Sequence, residues 1–181
     1  CPLATRFVWR LVSVVVIDLR NFTVLAQQME PEALKTAIDT WFGDIVNIIS
    51  ASGGMVDKNI GDAVGAIKAI WFHRYLGVRN QDILRVFQAI RAIHQRTMQL
   101  NQKFPFPFPL KIGAGINTGY GIVDNTRMGE YPYYLALEPA VKEAFRLGNA
   151  TQEIGCDVAL AESTYRYLST LNNLESVFQE Y

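Results

Sequence analysis

Hydrophobic positions along the chain predict one central strand and two amphipathic helices. Residues 11–17 (Leu-Val-Ser-Val-Val-Val-Ile) are almost all apolar, whereas a strand with one solvent-exposed face alternates apolar and polar positions. We therefore predict a central strand that is covered on both faces. Over residues 31–51 and 81–102, apolar residues recur with a period near 3.6, which predicts helices. The side chains predicted to face the core from these helices are Leu34, Ala37, Ile38, Trp41, Phe42, Ile45, Ile48, Ile49, Ile83, Val86, Phe87, Ile90, Ile93, His94 and Met98.

Shorter patterns predict the remaining elements. Residues 104–109 alternate phenylalanine and proline, which predicts an extended connector packed between elements rather than a ligand for an aromatic-groove domain. Residues 70–80 show no clear period and predict an irregular connection. The order β, α, β, β, α, β predicts an α/β (α+β) fold, the ferredoxin-like βαββαβ sandwich. The other predicted elements are strands at 55–58, 63–69, 110–116 and 157–160, a hairpin of 120–123 with 131–134, and helices at 139–147, ended by Gly148, and at 162–168.

Composition narrows the class of protein without identifying it. The 181 residues suit a single domain over 1–181, with 17 basic and 17 acidic residues, so charge gives no reason to expect nucleic acid as a partner. No apolar stretch approaches the roughly 20 residues that span a bilayer. The two cysteines form no disulfide framework, which fits a reducing, cytoplasmic compartment. Because the chain begins with Cys1 rather than methionine, we expect a fragment of a longer protein, in which an upstream segment could provide membrane attachment.

Two carboxylates carry the strongest chemical signal in the sequence. Asp18 ends the apolar run of residues 11–17, and Asp62 opens a second apolar run after a predicted turn between strands. If these strands are neighbours, the two side chains can meet, and paired oxygen ligands suit Mg²⁺ or Mn²⁺ bound together with substrate phosphates. Taken alone, an aspartate after a strand is more often a turn former or a helix cap, roles that Asn21 and Thr23 would also suit. The residues around both carboxylates favour metal binding.

These flanking residues resemble the two metal-site motifs of class III nucleotidyl cyclases. The motifs are Asp-Leu-Arg-Asn-Phe-Thr at residues 18–23 and Asp-Lys-Asn-Ile-Gly-Asp-Ala-Val at residues 57–64, with a helix and a Gly-Gly turn between them. Residues 112–119 (Ile-Gly-Ala-Gly-Ile-Asn-Thr-Gly) are similar to the family's strand and turn before its dimerisation hairpin. The resemblance covers about residues 12–168 and implies the same ferredoxin-like core, that of a cyclase homology domain.

The resemblance implies a role for each residue around the first motif. Two metal ions per site, Mg²⁺ or Mn²⁺, would be bound by Asp18 and Asp62, and the backbone carbonyl of Leu19 would join the metal shell. A helix start is a natural site for the β- and γ-phosphates of a nucleotide. The backbone N–H groups that would bind these phosphates are those of Asn21, Phe22 and Thr23.

A second half of the site is implied at residues 141–147 (Val-Lys-Glu-Ala-Phe-Arg-Leu). In the family's helix with this pattern, an arginine stabilises charge on the α-phosphate in the transition state, and an asparagine orients the ribose. Arg146 matches the arginine, and a guanidinium suits a forked phosphate contact, but Lys142 occupies the asparagine position. Both cations share one helix face and could contact a triphosphate together. Alternatively, Glu138 pairs with Lys142 and the site has lost part of its function; the sequence leaves both interpretations open.

The residues that would contact the base do not predict a single nucleotide. Lys58 could be an ordinary solvated lysine, but the matching lysine of the family contacts the purine base. Leu135 falls where the family has a polar residue against the base, and leucine cannot make that hydrogen bond, a loss of roughly 1–3 kcal/mol. ATP is the favoured substrate, while GTP or a pyrimidine triphosphate stays open.

The first functional hypothesis is a nucleotidyl cyclase that makes a 3′,5′-cyclic nucleotide and pyrophosphate in signal transduction. In the family, the two halves of each site come from two subunits, so we expect a homodimer or a heterodimer with another cyclase domain. The second hypothesis is a catalytically weak or inactive cyclase-like domain that acts as a nucleotide-binding or regulatory module or as the metal-donating half of a heterodimer. Leu135, Lys142 and Pro139 favour it. The residues that oppose it are Asp18, Asp62, Lys58 and Arg146, which match the family. A diguanylate-cyclase or polymerase relative is disfavoured, because no Gly-Gly-Asp/Glu-Glu-Phe turn stands at the second carboxylate.

Overall fold

The computed structural model describes residues 7–57, 65–73, 81–124 and 138–169. The helices predicted at residues 31–51 and 81–102 are confirmed, the second one residue longer than expected. In chain order the elements are β1 (Phe7–Leu19), α1 (Phe22–Gln28), α2 (Pro31–Ala51), β2 (Met55–Val56), β3 (Ala66–His73), α3 (Gln81–Lys103), β4 (Ile112–Asp124), α4 (Glu138–Ile154), β5 (Val158–Leu160) and α5 (Glu162–Ser169).

The described strands form one five-stranded sheet in the order β2-β3-β1-β4-β5. Neighbouring strands are antiparallel, except that β4 and β5 are parallel. The first four strands and the helices between them have the predicted ferredoxin-like arrangement, in which β1 lies between β3 and β4. The fifth strand extends the sheet beside β4. The predicted α/β sandwich is therefore confirmed, with one further strand.

Strand β1 is covered on both faces, as its apolar run predicts. Val15 and Ile17 pack in the core that the sheet forms with α2 and α3. The alternate residues Val14 and Val16 pack on the other side of the sheet, in a second cluster with Ala144 of α4. All of these valine and isoleucine side chains are at most 2% exposed. Residues Val14–Ile17 of β1 therefore point alternately to the α2–α3 layer and to the other side of the sheet, which we call the α4 face.

Glycine in β4 lets α4 approach the sheet closely. A Cβ at Gly115 would overlap the carbonyl oxygen of Ala144 and the backbone nitrogen of Gly148. The prediction that Gly148 ends the helix is wrong, because this glycine serves the helix–sheet contact and α4 continues to Ile154. The residue that follows the helix is Gly155, whose φ of 75° is the left-handed conformation usual after a helix end.

Two strands are longer than predicted. β3 continues to His73, so the irregular connection predicted from residue 70 onward is wrong for residues 70–73. Ile70 is buried on the α4 face and Trp71 in the opposite core, so no polar alternation marks this stretch as a strand. β4 is continuous to Asp124, without the break predicted before residue 120. The predicted partner strand 131–134 lies outside the described residues.

Most of the predicted core positions of α2 and α3 are buried or pack against the core. Phe42 and Met98 are exceptions, 43% and 57% exposed, and His94 is only half-buried. The adjacent residues fill the helix–helix contact instead, where Trp41 Nε1 donates a 3.0 Å hydrogen bond to Thr97 Oγ1. The 3.6-residue period predicted an apolar stripe wider than the one that the fold covers.

The phenylalanine–proline connector after α3 is packed, as predicted. Phe104, Phe106 and Phe108 lie against the main core, and the prolines between them are exposed. Asn101 holds the far end, since its Nδ2 donates to the Leu110 carbonyl at 3.0 Å and the Leu110 N–H donates to its Oδ1 at 2.6 Å. These contacts fix the chain where it enters β4, beside the end of β1.

Candidate active site

Asp18 lies near the end of β1, on the α4 face of the sheet. Its neighbours across the strands are Ala66 of β3 and Gly113 of β4. Burial raises the pKa of the Asp18 carboxyl, while the charge of Arg20 and a backbone hydrogen bond at Leu19 lower it. The fold thus disfavours the charged form of this carboxylate, and a bound cation would relieve that cost.

Arg20 fastens the end of β1 to the entry of β5. Its guanidinium donates to the carbonyl of Cys156 and lies 3.9 Å from a carboxylate oxygen of Asp157. A Cβ at Gly113 would only touch Arg20 Nε, at 3.4 Å, whereas it would overlap Thr151 Oγ1 at 2.5 Å. The hydrogen bond of Arg20 therefore serves the fold, and its effect on Asp18 comes through its charge.

A tight turn joins β1 to α1. Asn21 has φ 57° and ψ 29°, and within the described ranges it is the one residue other than glycine with a positive φ. Asparagine tolerates this left-handed conformation better than most residues. The turn lets α1 begin at Phe22, and the Leu25 N–H donates to the Asn21 carbonyl at 2.9 Å. Asn21 precedes the helix, so the cap alternative for Asp18 does not hold.

The start of β3 is held against this turn. The Leu19 N–H donates to the Gly65 carbonyl at 2.9 Å. Gly65 has φ 99°, and a Cβ on it would lie 3.0 Å from Phe22 Cγ, so both the backbone and the aromatic ring require glycine. β3 therefore enters the sheet beside the turn, shortly after Asp62 in sequence. Asp62 itself lies outside the described residues.

An ion pair marks the other end of the connection between β2 and β3. Lys68 Nζ lies 2.6 Å from Asp57 Oδ2, with the two side chains 17% and 10% exposed. The Asp57 N–H also donates to the Lys68 carbonyl at 2.9 Å. Asp57, at the end of β2, is therefore held against Lys68 of β3 by both its side chain and its backbone. The predicted base contacts Lys58 and Leu135 lie outside the described residues.

The outer side of α4 carries the second half of the predicted site. Ala144 and Gly148 face the sheet, so Lys142 and Arg146 lie on the side of the helix that points away from it. Arg146 is 70% exposed, and its Nε and Nη2 donate to the two carboxylate oxygens of Glu143 at 2.9 and 2.6 Å. The hydrogen bond from Arg146 lowers the pKa of Glu143, and the same contact raises the pKa of Arg146.

The two halves of the site are separated within one chain. A Cβ at Gly113 would lie 2.5 Å from Thr151 Oγ1, and Gly113 pairs with Asp18, so this carboxylate belongs to the sheet side of α4. Arg146 projects from the opposite side of the same helix. One chain therefore does not direct both groups at one ligand. The predicted site residues brought together at the end of β1 are Asp18, Leu19, Asn21, Phe22 and Thr23.

Three contacts near the predicted site were missed by reasoning from the sequence. The pairing of Glu143 with Arg146 could have been found, because residues three apart meet on a helix surface. The bonds of Arg20 and the pair of Lys68 with Asp57 depend on the register of neighbouring strands, which the sequence pattern does not supply. The side chain of Glu138, considered as a partner for Lys142, lies outside the described residues.

The described ranges contain neither a cluster of metal-binding side chains nor a helix that could span a membrane. No three His, Cys, Asp or Glu side chains within these ranges, which exclude Asp62, cluster so that they could hold a metal ion. No helix within them is long and apolar enough to cross a membrane.

Comparison with known proteins gives relatives in sequence and in structure. No protein-family model matches the chain. The chain is 24% identical over 160 residues to an adenylate cyclase of Anabaena cylindrica, an alignment that covers 88% of this chain and 31% of that protein. It spans less than a third of the length of the curated relatives it matches.

Solved structures confirm the fold. The adenylyl cyclase CyaB from P. aeruginosa superposes with a TM-score of 0.71 and 24% identity, covering 91% of this chain and 83% of that one. The guanylyl cyclase Cya2 superposes with a TM-score of 0.59 and 21% identity, covering 90% and 80% of the two chains. Together, the sequence relatives and the structures confirm the predicted resemblance to class III nucleotidyl cyclase catalytic domains.

Proposed function

We propose that this domain is the catalytic domain of a nucleotidyl cyclase, which converts a nucleoside triphosphate to a 3′,5′-cyclic nucleotide and pyrophosphate in signal transduction. The observation that carries the proposal is the arrangement at the end of β1. There, the half-buried Asp18 is followed by the left-handed turn at Asn21, which begins a helix, and Gly65 of the connection to β3 is hydrogen-bonded alongside. The Asp18 carboxylate, the backbone N–H groups at the start of α1 and Gly65, which follows Asp62 in the chain, meet at the end of the central strand β1.

Two Mg²⁺ or Mn²⁺ ions fit the chemistry of the groups at the end of β1. Burial disfavours the charge of Asp18, so a cation beside it would offset a cost that the fold imposes. The proposed ligands are carboxylate oxygens of Asp18 and Asp62 and the carbonyl oxygen of Leu19, the hard ligands that such ions prefer. When bound, the ions would supply the positive charge that lowers the pKa of the ribose 3′-hydroxyl and neutralises the triphosphate and the leaving pyrophosphate.

The turn after β1 would bind the phosphates. The backbone N–H groups at the start of a helix have no partners within the helix and point outward, which suits the β- and γ-phosphates. Asn21 and Thr23 are exposed, so their backbone can be reached from solvent, while Phe22 is held against Gly65. Such binding would hold the triphosphate in one orientation, so that the 3′-hydroxyl can attack the α-phosphorus in line with the departing pyrophosphate.

A second subunit completes the site in this proposal. Because α4 separates Asp18 from Arg146 within one chain, Arg146 of one subunit would stabilise charge on the α-phosphate bound by Asp18 of the other. Lys142, on the same outer side of α4, would add a second cation near the triphosphate. The partner is either an identical chain or another cyclase domain, and the contact between them uses the outer side of α4.

The base is proposed to be adenine, with Lys58 as its contact. Leu135 removes a hydrogen bond on that side of the pocket, so GTP and the pyrimidine triphosphates remain in the test as competing substrates. The relatives include both adenylyl and guanylyl cyclases. Asp18 at the end of β1 and Arg146 exposed on its helix support the catalytic function, while Lys142 and Pro139 are the described residues that favour the non-catalytic alternative.

The test is incubation of the purified domain with Mn²⁺ and each of ATP, GTP, CTP and UTP, with cyclic product detected by mass spectrometry. The control is the Asp62→Ala variant. We expect one preferred triphosphate to give cyclic product and the variant to give none. Product that persists in the variant would contradict the two-carboxylate site. If no triphosphate gave product at protein concentrations where dimers form, the proposed activity of this chain on its own would be wrong.

A further inference from the structure

We infer that Glu143 competes with a bound triphosphate for Arg146, and that it must release the Nε and Nη2 edge of the guanidinium before a phosphate can use that edge. The inference rests on the proposed function, in which Arg146 contacts the α-phosphate. Two hydrogen bonds of 2.9 and 2.6 Å join Arg146 Nε and Nη2 to the two carboxylate oxygens of Glu143. The arginine that the proposed reaction needs is therefore already bound to an anion of its own chain.

The carboxylate and a phosphate would compete for the same edge of the guanidinium. Nε and Nη2 form a fork that matches two oxygens of either group, and one fork binds one such pair of oxygens at a time. Glu143 takes this edge completely, since each of its oxygens accepts one of the two bonds. A triphosphate that used the fork would have to displace Glu143, and the displaced carboxylate would stay close to the bound phosphates.

The exposure of the pair decides how strongly Glu143 competes. Arg146 is 70% exposed and Glu143 35% exposed, so water screens the contact and the pair is weak. Weak pairing lets a triphosphate, which carries several negative charges, win the competition at a moderate loss of affinity. Glu143 would thus raise the triphosphate concentration that the site needs, without preventing the reaction.

The chain contains a matched control for this contact. Glu162 and Arg166 of α5 form a similar exposed ion pair, in which Nε and Nη2 of the arginine both donate to one carboxylate oxygen, at 3.1 and 2.5 Å. This pair is also exposed, at 76% and 74%, and it lies on a helix with no part in the proposed site. Removing the charge of Glu162 therefore changes the total charge by the same amount as removing that of Glu143, without freeing Arg146.

The experiment measures binding of 3′-deoxy-ATP with Mn²⁺ by titration calorimetry, because this nucleotide lacks the attacking hydroxyl and no reaction can follow. The variants are Glu143→Gln, Glu162→Gln, Arg146→Ala and the double variant Glu143→Gln with Arg146→Ala. We expect Glu143→Gln to lower the Kd roughly two- to fivefold, as removal of a weak competing ion pair predicts. The change should shrink at high salt, and Glu162→Gln should have no effect.

The double variant separates competition for Arg146 from simple repulsion of the nucleotide. If Glu143 acts through Arg146, the gain from Glu143→Gln disappears in the Arg146→Ala background. A gain that persists there would overturn the inference, because Glu143 would then repel the phosphates directly. An unchanged Kd for Glu143→Gln, or no binding by either protein, would overturn it as well.

Steady-state kinetics with the reactive triphosphate give a second reading. We expect Glu143→Gln to lower KM by the same factor as Kd, with kcat unchanged. A fall in kcat that Glu143→Asp restores would overturn the inference, since Glu143 would then orient Arg146 for the reaction. Absence of cyclic product from every variant, together with the expected binding results, would reject the proposed activity and leave the competition for Arg146 supported.

Discussion

The end of β1 and the outer side of α4 hold the two halves of the proposed site in opposite ways. At the end of β1, the groups are a short side chain and backbone N–H groups, fixed by the Leu19–Gly65 hydrogen bond and by the packing of Phe22. On α4, the groups are long side chains in solvent, and among the residues that the structure describes Arg146 is held by Glu143. One chain can prearrange the first half by itself, whereas the position of the second half depends on what binds to it.

The largest effect should come from the prearranged half. We expect Asp18→Asn to reduce cyclic product formation roughly a thousandfold or more, because the loss of a metal ligand removes several kcal/mol of transition-state stabilisation. Product formation by the variant and by the wild-type domain would be measured with Mn²⁺ and the preferred triphosphate. Asp39→Asn on the exposed side of α2 is the control and should leave the rate unchanged. A residual rate above a tenth of wild type would place the metal chemistry elsewhere.

The second prediction concerns the half of the site on the outer side of α4, where restoring lost groups should raise the activity. If the outer side of α4 and the base pocket have merely lost groups, Lys142→Asn combined with Leu135→Asp should raise the rate by up to about 10²-fold, the size of one lost transition-state donor. The comparison is with the wild-type domain under the same assay, and Lys35→Glu on α2, which lowers the net charge by the same amount as the two substitutions together, controls for the change in charge. An unchanged or lower rate would mean that Lys142 takes part in the present site.

A substitution in the close contact between α4 and β4 should strongly reduce the stability of the fold. Gly115→Ala places a methyl group against the backbone of Ala144 and Gly148, which cannot move aside as a flexible side chain could. We expect a loss of about 3 kcal/mol or more in the free energy of unfolding, measured with urea. Gly119→Ala, on the same strand with nothing within 4 Å of the added Cβ, should cost far less. Equal losses would contradict the close contact of α4 with β4.

The smallest effect concerns stability without metal. Burial raises the pKa of Asp18, so the fold disfavours the ionised carboxylate. The folded state is therefore more stable when Asp18 is protonated, and this stability is lost as the pH rises through the raised pKa. In a chelating buffer at neutral pH, Asp18→Asn should therefore raise the Tm by an amount on the order of 2–4 °C. The difference should vanish below the ordinary pKa of an aspartate, where the wild-type carboxyl is protonated in both states. A lower Tm for the variant at neutral pH would contradict the claim that burial disfavours the ionised form of Asp18.

The sequence was sufficient for the parts of the fold that repeat a strong local pattern. The apolar run in β1 and the periods of α2 and α3 gave strand and helices at the expected places. The first motif placed Asp18 and Asn21 at the end of β1 because a strand end followed by a turn and a helix is local in the chain. The order of the strands followed from the order of the elements, and it matches the ferredoxin-like arrangement.

The parts that failed depend on contacts between distant residues. Residues 70–73 were missed because both sides of β3 are buried, which removes the alternation that identifies a strand. Gly148 was predicted to end a helix because glycine often follows a helix end. Its actual contact, with Gly115, joins two distant parts of the chain and cannot be read from a local pattern.

The central claim is that each site of a dimer combines Asp18 of one subunit with Arg146 of the other. Mixing two inactive variants tests this claim most directly. Asp18→Ala and Arg146→Ala are purified separately, mixed and assayed for cyclic product. Each alone should be inactive, and the mixture should regain about a quarter of wild-type activity, because random pairing makes half of the dimers mixed and each mixed dimer has one intact site of two. A mixture as inactive as its components would contradict the claim, and so would full activity of either variant alone.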